Sequence, residues 1–180
     1  MKQALLVIDV QNDYFKNGKM ELVGPDQALD KIKQLEQYFN EKNLPIIYVQ
    51  HINPPQASFF QENTDGVLLH PELSADSDSL IVTKHYPNSF LETNLEELLK
   101  AHQMEQLVIT GMMTHMCIDS GTRAAKELGY QPILIADATA TRDLSYAGKT
   151  TKAEDVQTAF LTALSTFANV QNTADFLANT

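Results

Sequence analysis

The sequence predicts a three-layer α/β domain built on a mostly parallel sheet. Three observations carry that expectation. Short apolar runs rich in β-branched residues recur along the chain. They are continuous rather than alternating, as strands covered on both faces must be. The segments between them are long enough, and periodic enough, to return as helices by right-handed crossovers. With 180 residues the chain can bury about two-thirds of its extended surface in one core, so residues 1–180 are expected to form a single domain.

The expected strands are residues 5–8, 46–49, 80–82, 107–109 and 133–135. Between the first two, Gly24-Pro25-Asp26 supplies a stop and a proline suited to a first helical turn, and Leu29, Ile32, Leu35 and Phe39 then recur on one face. Asn43 and Pro45 close that helix. A second helix is expected over 91–101, with Leu95, Leu98 and Leu99 inward. A third spans 114–128 and stops at Gly129. A fourth spans 151–168, with Val156, Phe160, Ala163, Leu164 and Phe167 as its apolar face, and a weak sixth strand begins near Val170. Two connections exceed ordinary turns. Residues 51–79, with Phe59 and Phe60, are expected to form a lid, and 137–150 a second long loop.

Composition narrows the function. Twenty-three acidic against 13 basic residues leave a net charge of −10 with no basic stripe, which disfavours nucleic acid and anionic membranes as partners. The single cysteine, Cys117, cannot form an internal disulfide. The apolar stretch from Ala4 meets Asp9 too soon for a signal peptide, and no apolar run is long enough to span a bilayer. A cytoplasmic location is the expectation.

In open parallel sheets ligands bind beyond the carboxyl ends of the strands. Those ends carry Asp9, His51, Lys84, Thr110-Gly111 and Asp137, all expected on one rim. With Thr114 as N-cap, Cys117 falls in the first turn of the third helix, where free N–H groups and the helix dipole favour a thiolate. Asp9 then suits a base, Lys84 a charge that holds it, and the N–H groups of Met113 and Cys117 an oxyanion site. Taken singly each has a plainer reading: a small buried cysteine, a turn-capping aspartate, a solvated lysine. Their co-location on one rim favours chemistry.

These residues carry a resemblance. LLVIDVQNDYF around Asp9, VTKHYPNSFLETNL around Lys84 and VITGMMTHMCIDSGTRAAKELGY around Cys117, followed by Asp137-Ala138-Thr139, resemble the isochorismatase-like, or cysteine hydrolase, superfamily. The resemblance implies a six-stranded, mostly parallel sheet in a three-layer α/β/α Rossmann-like sandwich. It implies an Asp-Lys-Cys triad at Asp9, Lys84 and Cys117, and a cis peptide between Met112 and Met113 that turns N–H groups toward the oxyanion. A homo-oligomer, dimer or tetramer, is also implied.

Within that superfamily, keeping the cysteine favours cleavage of an amide, lactam or carbamoyl C–N bond through a thioester. The motifs look most like the branch that includes streptothricin hydrolase. A vinyl ether hydrolase of the isochorismatase type is the alternative, and the charge of −10 suits a neutral or cationic substrate better than a dianionic one. Nicotinamidase is a further alternative, but its metal-binding carboxylate and two histidines have only Gln50-His51-Ile52-Asn53 and His70 to correspond to them, so no metal or other cofactor is expected. A receiver-like signalling domain is the non-enzymatic alternative, opposed by a lysine at the third strand end. Tyr14, Phe15, His51, Phe59, Phe60, Tyr86, Phe90 and His115 are the candidate pocket residues around a small-molecule substrate.

Overall fold

The computed structural model describes residues 1–179. Its six-stranded sheet is parallel throughout, in the order β3-β2-β1-β4-β5-β8. The strands are β1 (Gln3–Ile8), β2 (Ile46–His51), β3 (Leu80–Lys84), β4 (Gln106–Met112), β5 (Gln131–Ala140) and β8 (Asn169–Gln171). The helices are α1 (Pro25–Glu41), α2 (Leu95–Ala101), α3 (Asp119–Glu127), α4 (Ala153–Leu164) and α5 (Thr173–Ala178).

The continuous apolar strands serve two cores, because successive side chains point to opposite faces. Leu5 and Val7 of β1 join Leu29, Ile32, Leu35 and Phe39 of α1 and Phe176 of α5 on one face. Ala4, Leu6 and Ile8 join Leu95 and Leu99 of α2 and Ala125 of α3 on the other. That arrangement makes the layers α/β/α, and it exists because β1 lies in the middle of the sheet. The expectation of two covered faces fails for β3, which is an edge strand: Ile81 is 46% exposed while Val82 and Lys84 point inward.

Several boundaries differ from the sequence expectation. Helix α2 begins at Leu95, not 91, because Glu92 takes a left-handed φ of 55° and breaks the helical path. The segment expected as one helix from Thr114 opens with a single π-helical turn, Thr114–Ile118, before α3. Thr114 is not a side-chain cap; its hydroxyl donates to Ala140 O at 3.2 Å. Helix α4 starts at Ala153 because Lys149–Thr151 forms β7, paired antiparallel with β6 (Leu144–Tyr146) across Ala147 and Gly148, both at positive φ. Ala163 of α4 is exposed, and Phe160 and Phe167 are half-buried.

Strand β5 runs past Asp137 to Ala140, so Asp137 does not end a strand. Its carboxylate accepts from the Thr173 N–H and hydroxyl, both at 2.8 Å, and starts α5, a helix the sequence reading did not anticipate. The long 51–79 connection holds no strand beyond the end of β2 and is pinned rather than free-standing. Asp13 accepts from the Phe60 N–H at 2.6 Å, and Gln11 donates to Val67 O at 2.7 Å. Among the described residues no helix is long and apolar enough to cross a membrane.

Candidate active site

Four neighbouring strands, β3 to β4 in sheet order, deliver the candidate residues to one place. Strand β1 ends at Ile8, and Asp9 follows in the left-handed region (φ 53°) with its N–H on Val49 O at 2.9 Å. A non-glycine residue there is uncommon and is held by its surroundings. Lys84 is the last residue of β3 and pairs in register with His51, the last of β2. Strand β4 approaches β1 so closely at Gly111 (φ 121°) that a Cβ there would collide with Ile8 O, which restricts the position to glycine. After Met112 the peptide to Met113 is cis, and the chain enters the π turn that carries Cys117. The Ile118 N–H closes that turn on Met113 O at 3.2 Å.

Lys84 is the hub. Its ammonium lies 2.7 Å from Asp9 Oδ2, 2.8 Å from His51 Nδ1 and 3.3 Å from Cys117 Sγ. Asp9 and Lys84 are fully buried, and Cys117 is 4% exposed. The second carboxylate oxygen, Asp9 Oδ1, is buried without a hydrogen-bond partner among the described residues. The Asp9, His51 and Cys117 heteroatoms lie within 4.8 Å of one another.

The electrostatics follow from burial and these neighbours. Burial opposes charge on Lys84, but Asp9 and Cys117 outweigh it and its pKa is raised, so it stays an ammonium. Burial, and then the Asp9 charge, push the Cys117 thiol well above its usual range despite the opposing Lys84. The resting group is therefore a neutral thiol, which corrects the expectation of a thiolate favoured by the helix start. Burial and then Lys84 lower His51, so its imidazole is neutral. Its Nδ1 accepts from Lys84, and its Nε2 meets Asn53 Oδ1 at 2.9 Å.

The other expected pocket residues divide. Tyr14, Phe59 and Phe60 form one aromatic group, Tyr14 to Phe60 at 4.5 Å and Phe59 to Phe60 at 4.9 Å, with Phe60 6.1 Å from the His51 ring. The Tyr14 phenol is raised by burial and then by Cys117 and Asp9, which marks it as a neighbour of the cluster. Phe15 is buried against the His70 ring at 4.1 Å. His115 is half-buried, with Nδ1 2.7 Å from Thr141 Oγ1. Tyr86 is 42% exposed, and Phe90 stacks on Tyr130 at 6.1 Å beside the α2–α3 core.

Sequence reading passed over Gln11, whose carboxamide brackets the His51 backbone, accepting from its N–H and donating to its carbonyl, both at 2.9 Å. The available signal was slight: a polar residue three places after the end of β1, in the mixed run Asp9-Val10-Gln11-Asn12-Asp13. Asn53 was missed because its partner is set by the fold of the 51–79 connection.

The donor atoms of Asp9, His51 and Cys117 do not fit a divalent metal. All three already hydrogen-bond the Lys84 ammonium, and the far nitrogen of His51 is engaged by Asn53. His70 stands outside the group, its Nδ1 accepting from the Glu72 N–H at 3.3 Å.

Comparison with known proteins shows the family. Residues 3–175 match the isochorismatase domain. The isochorismatase family protein YddQ of Bacillus subtilis strain 168 is 42% identical, over 98% of this chain and 99% of its own. Streptothricin hydrolase of Streptomyces noursei is 30% identical, over 81% of this chain and 52% of its own. The solved structure of a presumed isochorismatase hydrolase of Oleispira antarctica superposes with a TM-score of 0.95 at 41% identity, covering 98% of this chain and 96% of that one. The chain is a hydrolase of the isochorismatase family.

Proposed function

We propose that this hydrolase cleaves a C–N bond of a small molecule, an amide, lactam or carbamoyl group, through a thioester on Cys117. One observation carries the reading: a buried neutral thiol beside a carboxylate with a free oxygen, Asp9 Oδ1, bound from its other oxygen to a buried ammonium. A neutral thiol needs its proton removed as it attacks, and Asp9 Oδ1 is the acceptor available.

Asp9 takes the Cys117 proton while Sγ bonds to the carbonyl carbon. The oxyanion so formed is received by the N–H groups of Met113 and Cys117. As the tetrahedral adduct collapses, the C–N bond breaks and Asp9 returns the proton to the leaving nitrogen. Water then adds to the thioester, giving its proton to Asp9. Sγ departs from the second adduct and takes that proton back, releasing the acid. Lys84 keeps its charge throughout and holds Asp9 ionised beside the thiol. In this reading the Tyr14, Phe59 and Phe60 group forms one wall of the substrate site.

A panel of small amides, lactams, carbamoyl compounds and isochorismate tests the reading. C–N cleavage with isochorismate untouched is the expected result. Turnover of isochorismate alone overturns it in favour of a vinyl ether hydrolase.

A further inference from the structure

The Lys84 ammonium has three N–H bonds and three acceptors: Asp9, Cys117 and His51. The first two belong to the proposed chemistry. His51 does not, yet its contact at 2.8 Å is nearly as short as the ion pair at 2.7 Å. We propose that His51 is a positioning residue, which takes the third ammonium proton at Nδ1 and so fixes Lys84 between Asp9 and Cys117.

A chain of contacts prepares the imidazole for that task. Nδ1 can accept from an ammonium only when the ring proton sits on Nε2. Asn53 Oδ1, 2.9 Å from Nε2, selects that tautomer. The Asn53 carboxamide is oriented in turn, because its Nδ2 donates to Phe59 O at 3.0 Å. The Asn53 backbone is also held, donating to Phe60 O at 2.8 Å and accepting from the Glu62 N–H at 3.0 Å. Gln11 grips the His51 main chain on both sides. The in-register pairing of His51 with Lys84 brings the two side chains together at the carboxyl ends of β2 and β3. The 51–79 connection therefore has a second task besides walling the site, since it sets the proton position on the imidazole that steadies the lysine.

A lysine has many rotamers, and burial alone does not choose among them. An ammonium with one unsatisfied N–H in a closed site moves toward whatever acceptor it can find. Removing His51 therefore disorders the charge beside Cys117 without removing any group assigned to the chemistry.

This inference rests on the hydrolase reading for its importance but not for its test. The probe is iodoacetamide, and the readout is the rate of Cys117 alkylation at one alkaline pH in the wild type, H51L and H51N. Leucine fills the space and offers no acceptor. Asparagine leaves a void but places a carboxamide oxygen near the position of Nδ1. H51L is expected to alkylate at a rate roughly tenfold from the wild type, the scale of one hydrogen bond to a charged group, and H51N to return most of the way. If His51 only fills space, H51L stays nearer the wild type than H51N, and that order overturns the proposal. H51N no closer to the wild type than H51L overturns it as well. Failure of every amide in the substrate panel leaves this order of alkylation rates untouched.

Discussion

Two parts of the same sheet edge make opposite uses of ionisable residues. Over β1 to β4, Asp9, His51, Lys84 and Cys117 leave four strand ends and meet in a closed cluster around one ammonium. Over β5, Asp137 turns away to start α5, and Arg142 and Asp143 lead into the β6–β7 hairpin, where Tyr146 is 89% exposed. A charged residue near a strand end does not make a reactive site by position. What it pairs with decides, and in the first part each partner comes from a different strand, so the cluster forms only in the folded sheet.

That contrast can be broken by mutation, and the largest effect belongs to the closed side. Asp9→Asn removes the base and keeps the shape, so turnover of a cleavable amide should fall by roughly 10²–10⁴-fold in steady-state kinetics. A variant within a factor of two or so of the wild type removes Asp9 from the mechanism.

Acidity separates the two parts next. His51 in the closed cluster and His115 near the β5 end both have lowered pKa values, in each case chiefly through burial. In the unfolded chain such groups titrate near about 6.5, so as pH falls the unfolded state takes up protons first. The stability they contribute is present above roughly pH 6.5 and is lost as the pH drops through that value toward their folded pKa values. Tm measured from neutral to mildly acidic pH should fall, less steeply in His51→Asn and His115→Asn. A wild-type Tm that does not change on acidification contradicts this.

The smallest effect on activity belongs to the open side. Asp137→Ala should cost about 1–2 kcal/mol of stability in urea unfolding, from two lost hydrogen bonds at the start of α5, and leave turnover unchanged. A loss of turnover on the scale expected for Asp9→Asn would erase the distinction between the two regions.

The same contrast governs what could be read from the sequence. The runs ending at Asp9, at His51 and near Thr110 are legible because central strands must be apolar on both faces, and that leaves an unbroken pattern. The edge strand β3 carries a similar run, and its exposed Ile81 shows that the pattern alone does not distinguish edge from centre. The π turn was not legible, because Thr-His-Met-Cys-Ile reads equally well as an ordinary helical start. Its shape is closed by two bonds, Ile118 N–H to Met113 O and Asp119 N–H to Thr114 O. Helix α5 is short and depends on Asp137, 36 residues before Thr173, so no local signal announces it. At the site, Asp9, Lys84 and Cys117 were visible as residue types at strand ends. The protonation state of the thiol and the tautomer of His51 were not, because both are set by burial and by contacts across the sheet.

The central claim is the covalent role of Cys117, and the most direct measurement is the mass of the enzyme quenched during turnover of a cleavable amide. The account predicts an added acyl fragment, mapped to the peptide containing Cys117, absent from Cys117→Ala, which should also be inactive. Wild-type turnover by Cys117→Ala would contradict it.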